Sequence, residues 1–241
     1  MPALLVAFAF VEYAVLKKNS LMPMVDIQLL HHLETFLTDS RIEKFNTIIP
    51  NRTRHFTVAT EDVYQLHNTS AVMRSCDVFG IQDLHIIEEQ NSRTIDGEIA
   101  MGSQKWVDLH RHHTVKDALQ ILKKQGYQIV ATTPHENDQT LSTFDFTQKS
   151  CFFFGRETEG LSQEVIDEAD AFLKIPMVGF TESLNISVSA AIILQDVTSR
   201  LRQSDLPWQL STEEQLEKRL DWCKKTIKSH EQIIERFYEN A

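Results

Sequence analysis

Short β-rich runs alternate with helical segments along most of the chain, and this alternation constrains the fold more than any other feature. Phe56–Thr60 (FTVAT), Leu84–Glu88 (LHIIE), Trp106–Leu109, Tyr127–Thr132 (YQIVAT), Cys151–Phe154 (CFFF) and Phe172–Ile175 read as strands. Between them the sequence predicts a helix from Asn68, as its cap, to Phe79, with Gly80 ending it. Further helices are expected from Thr114 to Gln125, from Ser162 to Asp170 and from Ile186 to Leu201. Strands alternating with helices argue for a mostly parallel sheet covered on both faces. CFFF is apolar at every position, which suits a strand buried on both sides.

The flanks read as helical. Leu29, Leu30, Leu33, Phe36 and Leu37 form an apolar stripe within a single segment expected over residues 24–48, ended by Pro50. At the other end Thr212–Gln215 resembles a capping box, opening an amphipathic helix from Leu216 to Tyr238. Its Trp222, Ile227 and Ile234 suit packing on the body or on a partner subunit. Ala3–Leu16 is apolar but carries Glu12 and is shorter than the roughly 20 residues a spanning helix needs. It reads as a soluble or surface-lying helix, or as an extension ahead of an equally good start at Met24, and no membrane association is expected. Three regions follow: helical residues 1–50, an α/β domain over 51–205, and a C-terminal helix over 206–241.

Composition excludes several classes. At 241 residues with 42% hydrophobic content, the chain has ample material for a core. The formal charge of −10 argues against a polybasic nucleic-acid binder but not against an enzyme with local positive charge. Cys76, Cys151 and Cys223 form no CxxC pair, so neither a zinc ribbon nor a disulfide framework is supported, and reduced thiols in a cytoplasmic protein are expected. His110, His112 and His113 cluster without a carboxylate or thiolate to complete a ligand set, so no metal is expected.

Only seven glycines occur, and Gly155, Gly160 and Gly179 fall close together. Gly155-Arg-Glu-Thr-Glu-Gly160 follows a buried strand and precedes a helix, the position of a phosphate loop. Leu161 stands where a phosphate-binding lysine is required, and Glu157 and Glu159 would repel a polyphosphate. The segment is then either a plain tight turn or a place where a different ligand meets backbone. Ile175-Pro-Met-Val-Gly179, followed by Thr181-Glu-Ser-Leu-Asn-Ile-Ser-Val-Ser189, is either a well-capped helix start or a pocket rim with Ser183, Asn185 and Ser187 as polar groups. Arg74, among Val72, Met73 and Val78, is either a surface ion pair or an interior cation that needs an anionic partner.

Taken in order, an N…R helix, a GxExxG turn and an IPM-x-G-x(3)-SLN-x-SV-x-A segment resemble the SPOUT methyltransferases, most closely the SpoU/TrmH family of RNA ribose 2′-O-methyltransferases. The resemblance spans about residues 25–205. It implies a Rossmann-like, mostly parallel sheet with a deep trefoil knot toward its C-terminal side, flanked by short N- and C-terminal helices. It implies S-adenosylmethionine as the methyl donor, held by Thr132, Gly155, Ile175, Met177, Ser183 and Leu184. It implies catalytic parts for Asn68, Arg74, Glu157, Ser183 and Asn185, with Arg74 and an RNA phosphate helping the ribose hydroxyl lose its proton. It further implies a homodimer with each active site at the subunit interface.

The short helical flanks resemble the tRNA branch of that family, which methylates a D-loop guanosine. A ribosomal-RNA methyltransferase and a non-catalytic RNA binder on the same fold are the competing readings. Two segments carry local positive charge: residues 41–55 with Arg41, Lys44, Arg52 and Arg54, and residues 105–124 with Lys105, Arg111, Lys116, Lys123 and Lys124. Arg41, Lys44, Arg52, Arg54, Lys105 and Arg111 are the candidate RNA contacts, in a complex that weakens steeply with salt.

Overall fold

A computed structural model of the chain describes residues 25–63, 66–89, 102–133 and 139–240. The apolar stretch at Ala3–Leu16 and the alternative start at Met24 lie outside the described residues. Two units are present: Pro50–Leu210, and a helical unit drawn from residues 1–49 and 211–241.

The larger unit holds the strands. In chain order they are β1 (Phe56–Glu61), β2 (Asp83–Ile87), β3 (Asp108–His112), β4 (Gln128–Thr132), β5 (Gln139–Thr140), β6 (Ser150–Phe154) and β7 (Ala171–Lys174). They form one sheet in the order β3-β2-β1-β6-β4-β7-β5. Each recorded pairing is parallel. The sheet's central strands, β1 and β6, are buried at every position.

Alternation of side chains along the strands explains the two cores. Phe56, Val58, Phe152 and Phe154 face one layer, where they meet Val72, Met73 and Cys76 of helix α3 (Leu66–Phe79) and Ile193, Leu194 and Val197 of α6 (Ile186–Arg202). Ala59, Ile129, Cys151 and Phe153 face the other, against Val115, Ala118, Leu119 and Leu122 of α4 (Val115–Lys124) and Val165 of α5 (Gln163–Asp167). Burial pushes the Cys76 thiol up to about 12 and raises Cys151 as well, so these are packing groups rather than nucleophiles.

Local differences from the expected elements have local causes. The helix expected from Asn68 already includes Leu66, so Asn68 lies in its first turn and is not its cap. The strand expected at Trp106–Leu109 starts two residues later, because Ser103–Lys105 forms a 3₁₀ turn that Trp106 and Val107 close onto the Ser103 carbonyl. Residues 206–210 belong with the sheet: Thr53 Oγ1 donates to the Trp208 carbonyl at 2.5 Å, and Leu210 N–H reaches Arg52 O.

In the helical unit, the single segment expected at residues 24–48 is two helices, α1 (Ile27–Glu34) and α2 (Asp39–Ile48). Thr38 caps the second by accepting from Arg41 N–H, and that competes with a continuous helix. The C-terminal segment likewise divides into α7 (Thr212–Thr226) and α8 (His230–Glu239). Ile227 is extended and Ser229 left-handed, with φ +57°, which ends the first helix. Ser211 with Glu214 forms the capping box, one residue earlier than the sequence suggests. Trp222 packs edge-on against Phe45 with ring centroids 5.5 Å apart, and Arg219 pairs with Glu34. No described helix is long and apolar enough to cross a membrane.

The edge of the sheet at β2–β3 carries a proton-sensitive stack. His85 stacks on His110 and His112, and its Nδ1 lies 2.9 Å from His112 Nε2. Burial, then the charges of His110 and His112, push the His85 pKa down to about 3. Burial lowers His112 and His55 too. Asp83 loses from burial but gains more from the His110 hydrogen bond and the Arg54 charge, so its carboxyl sits below the usual range. The folded chain keeps His85 neutral, and disfavours the charged forms of His112 and His55, at a pH where the unfolded chain binds their protons. Stability is therefore full above about pH 6.5 and falls as pH drops below it, by up to about 1.4 kcal/mol per pH unit per proton. Urea midpoints at pH 7.5, 5.5 and 4.5 should decrease in that order. Equal midpoints at 7.5 and 5.5 would rule this out. The Asp83 contribution adds only at lower pH, as its carboxylate takes up a proton.

Candidate active site

A cavity of about 570 Å³ opens at the carboxyl ends of β4, β6 and β7. Open parallel sheets offer ligand sites there, because the connecting loops diverge beyond the strand ends. Three loops make its walls.

The first follows β6. Phe154 leads into Gly155, and Arg156 and Gly160 exchange backbone hydrogen bonds of 2.9 and 3.1 Å, which closes the turn. Gly160 takes a φ of +72°. A Cβ on Gly155 would lie 2.2 Å from the Gly160 carbonyl carbon, so only glycine fits. The turn is tied to the end of β1: Arg156 pairs with Asp62 at 3.3 Å, and Ser162 N–H donates to Glu61 at 3.0 Å. Burial raises the Glu61 pKa. Neither Glu61 nor Asp62 stands out in the sequence, although two consecutive acids where an apolar strand ends are a signal of a polar strand end.

The second loop follows β7. Ile175 and Met177 line the cavity, and so do Glu182, Ser183, Leu184 and Asn185 ahead of α6. Asn185 caps that helix, its Oδ1 accepting from Ser187 N–H at 2.9 Å and from the Ser187 hydroxyl at 2.6 Å. The third wall is Thr132 and Thr133 after β4, with the Thr132 hydroxyl donating to Phe153 O at 2.6 Å.

A side-chain relay joins the motifs. Asn68 Nδ2 donates to Glu157 Oε1 at 2.5 Å, and Asn185 Nδ2 donates to Asn68 Oδ1 at 3.1 Å. Three residues distant in sequence thus meet at one rim. The amide directions are dictated by chemistry, since an ionised carboxylate only accepts and so must face the NH₂ end of Asn68. Asn68 is buried, at 5% exposure, while Glu157 and Asn185 are exposed.

Arg74 does not join them. Six residues beyond Asn68 it lies about 240° around the helix, exposed, in a separate hollow of about 200 Å³ with Ala71, Ser75, Val78 and Phe79. It is not an interior cation: Val72 and Met73 are fully buried, whereas Val78 on Arg74's side is 69% exposed.

The candidate RNA contacts divide. Lys44 and Lys105 are exposed and Arg41 is half-exposed. Arg111 is exposed and pairs with Glu88 at 2.7 Å. Arg52 must be corrected: its side chain is 1% exposed, and it binds Asp77, Gln82 and the Ile81 and Trp106 carbonyls. Burial lowers its pKa. Arg54 is largely committed as well, to Asp83 at 2.8 Å and Asp108 at 3.0 Å. Both lie ahead of β1, where the chain enters the sheet and its carbonyls and carboxylates need donors. Among the described residues, no group of three His, Cys, Asp or Glu could hold a metal ion.

Residues 55–195 match the SpoU rRNA Methylase family. A Borreliella burgdorferi protein described as tRNA (guanosine(18)-2′-O)-methyltransferase is 36% identical over 201 residues, 83% of this chain and 92% of that one. Among solved structures, the A. aeolicus TrmH/SpoU tRNA modifying enzyme superposes with a TM-score of 0.69 at 30% identity, covering 79% of this chain and 98% of that one. An AdoMet-bound rRNA methyltransferase from Sinorhizobium meliloti superposes at 0.55 with 25% identity, covering 65% and 60%.

Proposed function

This chain belongs to the SpoU methylase family, and from that premise we propose that it methylates a ribose 2′-hydroxyl of tRNA with S-adenosylmethionine. The target we assign is guanosine 18 of the D-loop, on the likeness to relatives that carry that description. The observation that carries the reading is the meeting of Asn68, Glu157 and Asn185, from three separate motifs, at the rim of one cavity.

The cavity suits the methyl donor. Its lining joins apolar groups (Leu161, Ile175, Met177, Ile186) to the carboxylates of Glu157, Glu159 and Glu182, a set that accepts an apolar-faced purine and a cationic sulfonium. Thr132, Gly155, Ile175, Met177, Ser183 and Leu184 are the residues assigned to it, several through backbone groups. When bound, it supplies a methyl already activated as an electrophile. The chain's part is then mostly positioning. The relay ties the loops after β6 and β7 to helix α3, with Ser183 and Asn185 at the acceptor side. Arg74 has the task of gripping an RNA phosphate beside the reacting hydroxyl. A guanidinium already carries its proton and gives it up only at high cost, so it has no site to accept another, and a phosphate oxygen or water takes the proton.

Arg74 stands outside its own chain's cavity, as a side chain offered to a second copy does, and this favours a homodimer with sites completed between subunits. Residues 50–210 are the methyltransferase domain in this reading, with the loops at 155–160 and 175–185 in the crossings of a trefoil knot. A cytoplasmic location goes with the tRNA substrate.

The test is methyl incorporation from labelled S-adenosylmethionine into bulk tRNA and into ribosomal RNA, with the modified nucleotide mapped. Incorporation at guanosine 18 of tRNA is expected. Incorporation into ribosomal RNA alone would transfer the assignment to that substrate, and none into either would leave a non-catalytic binder.

Gly155→Ala tests the cofactor assignment. Its Cβ would collide with backbone, so the turn must open. S-adenosylmethionine should bind at least about tenfold more weakly by calorimetry, a loss of about 1.4 kcal/mol, with the fold retained by circular dichroism. Unchanged binding would place the cofactor elsewhere.

A further inference from the structure

The loop between β7 and α6 has two sides. Ile175, Met177 and Glu182–Asn185 line the cavity. Val178 and Phe180 are not among the lining residues, and their own chain leaves both fully exposed. A phenylalanine ring left uncovered by its own chain at the rim of a catalytic cavity gains nothing from the fold around it. Its place is nonetheless confined. Phe180 is three residues beyond Met177 and two before Glu182, so its backbone lies within about 7 Å of the cavity lining by chain reach alone.

We infer that Phe180 is a stacking platform for a nucleobase of the substrate RNA, holding the nucleotide beside the cavity so that its ribose reaches the methyl. The inference rests on the proposed tRNA methylation. The reacting group is a ribose hydroxyl, so an entire nucleotide must come to the open side of the cavity and its base must find a surface. RNA loops are recognised by splaying bases onto aromatic faces. The loop's chemistry matches a base rather than a phosphate: from Pro176 to Leu184 its only charged side chain is Glu182, and it contains no Lys or Arg. Phe180 offers a π-face and no hydrogen bond, which suits contact that tolerates any base identity. Phe180 is a positioning residue in this scheme, and guanosine selection lies elsewhere.

The experiment compares Phe180→Ala, Phe180→Leu and Phe180→Trp with the unaltered chain on an unmethylated tRNA transcript. Measured are kcat and KM for RNA, S-adenosylmethionine affinity, and mass in solution by light scattering. Loss of one base stack should cut kcat/KM about tenfold or more in the Ala and Leu variants, chiefly through KM. Trp should restore it. Cofactor affinity and mass should stay unchanged in all three. Full activity of the Leu variant would overturn the inference, because any apolar contact would then suffice. Full activity of the Ala variant would overturn it too. A smaller mass for the Ala variant would show that a second copy of the chain covers the ring. If the unaltered chain fails to methylate tRNA, the proposed function falls and takes this inference with it. An active enzyme indifferent to Phe180 sinks this inference alone.

Discussion

Arg74→Ala loses methyl transfer to tRNA by at least about a hundredfold while binding S-adenosylmethionine as the unaltered chain does. A group that assists proton loss in the transition state contributes roughly a hundredfold or more. The variant should fold normally, since the Arg74 side chain is exposed and nothing in the core rests on it. A complementation experiment asks where the residue acts. Arg74→Ala is mixed with Gly155→Ala under conditions that allow subunit exchange. If Arg74 serves the cavity of the other subunit, a mixed dimer joins an intact cavity from the first variant to an intact Arg74 from the second, and activity returns. If it serves its own chain, each mixed dimer has one site without Arg74 and one with a weakened cavity, and activity at S-adenosylmethionine levels below saturation does not rise. Near-full activity of Arg74→Ala alone would remove the residue from the mechanism altogether.

Arg52→Ala is expected to destabilise the fold by about 3–5 kcal/mol. The guanidinium is buried, at 1% side-chain exposure, and donates at 2.9 Å to Gln82 Oε1, 2.9 Å to Asp77 Oδ1, 2.8 Å to the Ile81 carbonyl and 3.1 Å to the Trp106 carbonyl. Removing it takes a donor from each of these acceptors, although the Trp106 carbonyl keeps Gln82 Nε2 and Asp77 keeps the Ser103 hydroxyl, and it leaves the Asp77 carboxylate without its charge partner, which is the costly half of breaking a buried pair. Lysine keeps the charge but not the planar fork, so Arg52→Lys should recover only part of the loss. Thermal midpoints should drop by roughly 2–4 °C per kcal/mol in a chain of this size. A drop below about 2 °C would mean that the site accommodates the loss. Removing a true RNA contact would instead lower affinity and leave the melting point alone.

Much of the architecture is legible in the sequence. The β-rich runs, the caps at Thr114, Ser162 and Asn185, and the close-spaced glycines all follow from local rules, and local rules operate wherever the deciding neighbour is a few residues away. The helix breaks at Thr38 and Ser229 escape this reading because the apolar stripe continues across both, and periodicity alone reports a stripe rather than a continuous helix. The two-residue strand β5 is too short to carry a pattern.

Local rules fix the set of parts: a parallel sheet with both faces covered, a close-spaced pair of glycines between a strand and a helix, and three motifs in a recognisable order. Long-range contacts settle where those parts point. Arg52 and Lys44 read alike in a basic segment, yet one is sealed beneath the sheet's entry and the other stays in water. Asn68 and Arg74 share one helix, yet one turns to Glu157 and Asn185 and the other turns away. The physical reason is common to both cases. Charge and hydrogen-bonding capacity belong to the residue, but the partner that satisfies them is supplied by segments 25 to 117 residues distant, and only folding brings those segments together.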